Sequence, residues 1–99
     1  MKINKTQNGT ELTVALDGRL DTTTAPQLEA ELGGLDGITK LIFDMAKLVY
    51  ISSAGLRVLL KAQKAITKND GSMTVKNVSQ EIREIFEVTG FDEILNIEA

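Results

Sequence analysis

Apolar and polar positions alternate from the start of the chain. Lys2 to Thr6 and Glu11 to Leu16 are short alternating segments separated by Asn8-Gly9. Asn-Gly readily takes positive φ, so the pattern predicts a β-hairpin. Asp17-Gly18-Arg19-Leu20-Asp21 reads as a turn leading into Thr22-Thr23-Thr24. Thr24 with Gln27 forms a capping-box pattern, and Pro26 falls in a first helical turn, where its missing N–H costs nothing. Ala25, Leu28 and Leu32 share one helical face, and Gly33-Gly34 stops that helix.

Leu41-Ile42-Phe43 is a continuous apolar run, which predicts a strand covered on both faces. A longer helix is expected over about Ala54 to Lys68. Its apolar positions Leu56, Val58, Leu59, Leu60, Ala62, Ala65 and Ile66 form a face wide enough to demand deep packing. Asn69-Asp70-Gly71 ends it. Met73 and Val75 alternate with Thr74 and Lys76 as a strand does. Ser79 can cap a last helix that turns Ile82, Ile85, Phe86 and Thr89 inward and stops at Gly90. Phe91 to Ile97 is a short apolar closing segment of undetermined type. The order β-β-α-β-α-β-α, without repeat or linker, predicts one small α/β domain over residues 1–99.

Composition narrows the chemistry. Aromatic residues make up 4% of the chain, so Leu, Ile, Val and Ala must fill the core. Cysteine is absent, which removes disulfides and thiolate metal sites. Histidine is absent too, which removes the commonest general base and metal ligand. A net charge of −3 argues against a nucleic-acid partner, which would call for a basic face. No apolar run approaches the roughly 20 residues that span a bilayer, so no membrane partner is expected. MKINKTQNGTEL lacks the apolar stretch of a signal peptide, and a cytoplasmic location is expected by elimination.

Two adjacent serines, Ser52 and Ser53, stand before Ala54-Gly55. A nucleophilic serine needs a base and oxyanion donors. There is no Ser-x-x-Lys motif, and Ile51 stands where the nucleophile-elbow pattern needs its first glycine. The glycine-rich Gly33-Gly34-Leu35-Asp36-Gly37 lacks a following Gly-Lys-Ser/Thr, so it is no phosphate-binding loop. Asp17, Asp21 and Asp44 lack the spacing of a calcium loop, and no metal or cofactor is expected. Two compatible readings of the serines remain. One serine caps the helix starting near Ala54, and the same helix N-terminus, with free N–H groups and a partial positive charge, would tolerate a phosphate.

Asp44-Met45-Ala46-Lys47-Leu48-Val49-Tyr50-Ile51-Ser52-Ser53-Ala54-Gly55-Leu56 resembles the signature of STAS domains, specifically the stand-alone bacterial anti-sigma factor antagonists. Leu16-Asp17-Gly18-Arg19-Leu20-Asp21 is similar to an early segment of that family. Gly71 to Val78 resembles its late strand, and Ile85-Phe86-Glu87-Val88-Thr89-Gly90-Phe91 its C-terminal helix-to-glycine pattern. The resemblance implies a central mixed β-sheet with helices packed on it.

It also implies a phosphorylation switch. The serine two positions before the glycine, here Ser53, is the one phosphorylated by a partner anti-sigma factor that has serine kinase activity and a histidine-kinase-like ATPase fold. Unmodified antagonist binds that partner, the phosphorylated form releases it, and a phosphoserine phosphatase resets the cycle. Many members carry Asp where this chain has Ser52, so Ser52 is the alternative target. Asp21 matches a family aspartate beside the site. The expected docking face comprises Asp21, Thr22, Thr23, Thr24, Ser52, Ser53 and the helix start at Gly55. For Gly55, close approach of a partner and tight packing of helix on sheet are both open. Leu56 is expected in the core, Arg57 and Lys61 on a solvated face. A scaffold role independent of Ser53, as in stressosome or lipid-transport assemblies, is the competing function, and a serine enzyme is a third.

Overall fold

The alternation at the start of the chain is an antiparallel hairpin, β1 (Lys2–Asn8) and β2 (Glu11–Leu20). The computed structural model describes residues 1–98. Asn8 is still paired with Glu11, and Gly9 takes the left-handed turn position at φ 64°. The turn expected at Asp17-Gly18 does not form, because β2 runs on through it, paired to Lys2 on one side and to Leu48 on the other. Gly18, at φ 115°, lies where the pairing slips register.

The strand begun by Leu41-Ile42-Phe43 is β3 (Lys40–Ile51), far longer than its apolar run. Its buried positions are Leu41, Phe43 and Met45, then Leu48 and Ile51. The period changes from two to three because β3 carries an extra residue between its partners for Ala15 and Asp17, and another between those for Gly18 and Arg19. Each bulge turns the side-chain alternation over by one residue.

The remaining elements are α1 (Ala25–Glu31), α2 (Ser53–Lys68), β4 (Ser72–Lys76), α3 (Gln80–Thr89), a 3-10 turn (Phe91–Glu93) and β5 (Asn96–Ile97). The turn and β5 are the closing segment that the pattern left unassigned. Strand order across the sheet is β1-β2-β3-β4-β5, with β2 to β5 parallel. Each parallel step crosses the sheet in the same direction, and a right-handed crossover repeated in one direction puts every helix on one face. Burial follows that rule. Leu12, Val14, Leu16, Leu41, Phe43, Met45, Met73 and Val75 are buried with the helices' inner residues, while Thr13, Ala15, Ile42 and Thr74 on the opposite face are half exposed. β3 is therefore covered on one face, and the expectation of two is corrected.

The helix termini bring two further corrections. Thr24 and Gln27 form no capping box. Thr24 Oγ1 instead donates to the Arg19 carbonyl (2.7 Å) and accepts from the Asp21 N–H (2.8 Å), while Gln27 reaches the Met1 carbonyl (3.3 Å). In α3, Ile82 and Phe86 are buried and Ile85 half buried, but Thr89 is exposed, its hydroxyl donating back to the Ile85 carbonyl (2.7 Å). Ser79 caps α3 by accepting from the Ile82 N–H (3.3 Å), and Gly90 ends it in a left-handed conformation.

Candidate functional site

The parallel strands β2 and β3 end level with each other, Leu20 beside Ile51, and the chain turns there into α2. The Ser52 N–H still donates to the Leu20 carbonyl (2.9 Å), extending the ladder by one bond. Ser52 is extended (φ −98°, ψ 174°), and its Oγ accepts from the Gly55 N–H (3.4 Å) while its carbonyl accepts from the Leu56 N–H (2.9 Å). Ser52 is thus the N-cap, and Ser53 the first helical residue.

The two serines are chemically separated by that single-residue offset. Ser52 is half buried and its oxygen is engaged. Ser53 is exposed, and its hydroxyl makes no hydrogen bond among the described residues. Of the two serines, either of which the sequence left free to cap, capping falls to Ser52 alone. The N–H groups of Ser53 and Ala54 have no intrahelical acceptor, as at any helix start. No acid stands in the first turn, and α2 carries Arg57, Lys61, Lys64 and Lys68 without a single carboxylate. The helix dipole, with Arg57 about one turn on, makes the surroundings of Ser53 electropositive, while the more distant lysines along α2 add little.

Beside it lies the loop Asp21–Thr24, tied to itself. Asp21 Oδ1 accepts from the Thr23 hydroxyl (2.7 Å), the Thr23 N–H (3.0 Å) and the Thr24 N–H (3.2 Å). Arg19 Nε lies 3.8 Å from its other oxygen. The Thr23 hydroxyl first, then the Thr24 N–H, hold this carboxyl below the ordinary aspartate range. The Asp21 carbonyl accepts from the Ala25 N–H (2.8 Å), so the loop also opens α1. Asp21 is foremost the residue that shapes the loop. The chain presents Thr22 and Thr23 outward, with Thr24 turned partly in.

Gly55 is buried. A Cβ there would stand 2.6 Å from Leu20 Cγ, so the close approach it serves within the chain is that of helix on sheet. Its part at this end of the molecule is to seat α2 and so to place Ser53, rather than to offer a surface. Leu56 lies in the core as expected.

The pairing of Leu20 with Ile51 therefore brings Asp21–Thr24 and Ser52–Ser53, distant in sequence, to one end of the sheet. Sequence reasoning missed two neighbours of this site. A hollow of about 300 Å³ runs between α1 and α2, lined by Thr22, Ala25, Pro26, Glu29, Ala54, Arg57, Val58 and Lys61. Lys61 is paired there with Glu29 (2.8 Å) across the two helices. On the opposite flank the Arg19 guanidinium lies over the Tyr50 ring (4.5 Å), a cation–π contact beside exposed Val49. The bulges of β3 turn Val49 and Tyr50 outward, and no local pattern announces them.

A hydroxyl displayed on a helix start beside a self-bonded acidic loop, over a five-stranded mixed sheet, is the architecture of a known family. The chain belongs to the STAS domain family, whose family model matches residues 2–99. Among its relatives, the BtrV protein of Bordetella bronchiseptica, named as an anti-sigma factor antagonist, is 36% identical, over 92% of this chain and 80% of the relative. The anti-sigma-B factor antagonist of Staphylococcus aureus is 30% identical, over 85% of this chain and 80% of its own length. The solved Bacillus anti-sigma factor antagonist SpoIIAA shares the fold. Its unphosphorylated form superposes with a TM-score of 0.74 at 18% identity, over 94% of this chain and 97% of that one. Its phosphorylated form gives 0.77 at 18% identity, over 99% and 92%. No helix among the described residues is long and apolar enough to cross a membrane.

Proposed function

We propose that this chain is an anti-sigma factor antagonist, a binding module rather than an enzyme. With Ser53 unmodified it docks on a kinase-like anti-sigma factor; with Ser53 phosphorylated it lets go, and a phosphoserine phosphatase restores it. The observation that carries this reading is the exposed, uncommitted Ser53 hydroxyl on the first residue of α2. Relatives named as anti-sigma factor antagonists support the role, and SpoIIAA, of the same fold, is known in phosphorylated form.

The substitution of Ser52 for the aspartate expected from the family resemblance has a simple account. Asp and Ser are comparably good N-cap residues, so the helix start is preserved whichever is present. With the Ser52 oxygen bound to the Gly55 N–H, Ser53 is the better phosphoacceptor.

Magnitudes favour a switch of binding over a switch of fold. A phosphate at a helix N-terminus gains about 0.3–2 kcal/mol from the dipole. Facing a partner carboxylate at about 4 Å, each pair of like charges costs roughly 4 kcal/mol at an effective dielectric of 20, nearly a thousandfold in affinity. The test is intact-mass analysis after incubation with a kinase-like anti-sigma factor and Mg-ATP, followed by calorimetric binding of both forms. One phosphate should appear on the wild type and on Ser52→Ala but not on Ser53→Ala. Undiminished affinity of the phosphorylated form would refute the proposal.

A further inference from the structure

Away from Ser53, apolar surface gathers at the last turn of α3. Val88 is 87% exposed, more than any other large apolar residue, and Ile94, just past the 3-10 turn that packs on α3, is 51% exposed. Val88 lines an open hollow of about 310 Å³ with Glu81, Glu84, Ile85 and Thr89. Topology sets this patch apart from the serine site. Ser53 follows the carboxyl end of β3. After β4, α3 returns toward the amino ends of the parallel strands to deliver β5 parallel to β4, and Val88 comes near the end of that return.

Charge on this segment is lopsided. Ser79 to Glu98 holds six acids (Glu81, Glu84, Glu87, Asp92, Glu93 and Glu98) against one base, Arg83, whereas the rest of the chain has ten bases against eight acids. The exposed apolar residues are therefore rimmed by the chain's densest negative charge. A second copy docked two-fold on this patch would bring the acidic rims of the two copies together, and an anionic membrane surface would be repelled. A complementary occupant needs an apolar stripe flanked by cations.

We propose that the Val88 face of α3 is a second docking surface, which takes a basic amphipathic helix of a partner protein and works independently of Ser53. Apolar contact supplies the anchor at Val88 and Ile85, and Glu81 and Glu84 fix orientation through Lys or Arg on the partner.

The test is a two-dimensional amide NMR titration of the full isotope-labelled chain. The probe is a synthetic 14-residue helical peptide with leucines on one face and lysines on the other, and its control is a scramble of the same composition with no apolar face. Saturable shifts should be confined to residues 81–95 with the amphipathic peptide, and the scramble should bind at least tenfold more weakly. Val88→Lys should weaken binding at least tenfold without moving the melting temperature, and Ser53→Glu should leave it within twofold. Equal binding of the scramble, shifts centred elsewhere, or unchanged affinity of Val88→Lys would overturn the proposal. So would a concentration-dependent oligomer that Val88→Lys dissolves, since the patch would then serve self-association.

Discussion

Gly55→Ala probes the packing that seats Ser53. The added methyl would stand 2.6 Å from Leu20 Cγ, 2.9 Å from Leu20 Cδ2 and 3.0 Å from Ile51 Cγ1. Carbon atoms in contact rest at about 3.5–4.0 Å. Leu20 is fully buried and Ile51 nearly so, and the deepest overlap is with a branch carbon rather than a mobile tip, so neither neighbour can swing aside. Alanine gains up to about 1 kcal/mol over glycine in a helix, whereas overpacking a closed core costs about 1–3 kcal/mol. The net expectation is a loss of about 1–2 kcal/mol. For a domain near 100 residues that lowers the melting temperature by about 4–16 °C. A double-mutant cycle isolates the cause. Leu20→Ala costs about 2–5 kcal/mol by itself but deletes the clashing carbons. In that background Gly55→Ala should be neutral or stabilising, giving a coupling of about 1–3 kcal/mol. The measurement is urea denaturation of all four proteins with matching m-values. An equal loss in both backgrounds would show that the cost arises in the helix backbone and not against Leu20.

Two more expectations concern the same end of the molecule. Ser52→Ala removes the cap and should destabilise by about 0.5–2 kcal/mol, nearer the lower bound because the bond is long, while Ser53→Ala should stay within about 0.5 kcal/mol of wild type. Thermal melts showing the reverse order would reassign the cap. Asp21 has a folded-state pKa below its unfolded value near 3.9, so the stability it contributes is full above that value and drains away as pH falls through the folded-state pKa. The stability gap between wild type and Asp21→Asn should therefore narrow as pH falls below about 4. Circular-dichroism unfolding at pH 6 and pH 3 checks this, and a constant gap would mean that the carboxylate's charge is immaterial to the loop.

Where local chemistry decides structure, the sequence was legible. The Asn8-Gly9 hairpin, a serine cap at the start of α2, the cap at Ser79 and the stop at Gly90 each follow from what one or two residues can do. Legibility failed where a neighbouring strand decides. Asp17-Gly18 carries strong turn chemistry, yet hydrogen bonds to β1 and β3 on both sides hold it in the sheet. The second half of β3 escaped notice because its bulges change the period from two to three. At the start of α2 the pattern called for a serine cap but could not tell which of the two serines it was, since the offset between N-cap and first helical residue is a matter of one φ/ψ pair. Asp21 matched the family pattern, but its tie to Thr23 and Thr24 could be seen only once the loop was folded. The hollow between α1 and α2 depends on how two helices settle and has no signature along the chain.

The coincidence of chain order and strand order also bears on how the molecule comes apart. Every strand lies next to its sequence neighbour, at most one helix away, so no pairing waits on a distant segment. β3 sits at the centre with partners on both sides, whereas β5 holds on by two residues. Opening should therefore spread inward from the edges, with the amides of β5 exchanging earliest and those of Leu41 to Phe43 protected almost until the whole domain unfolds.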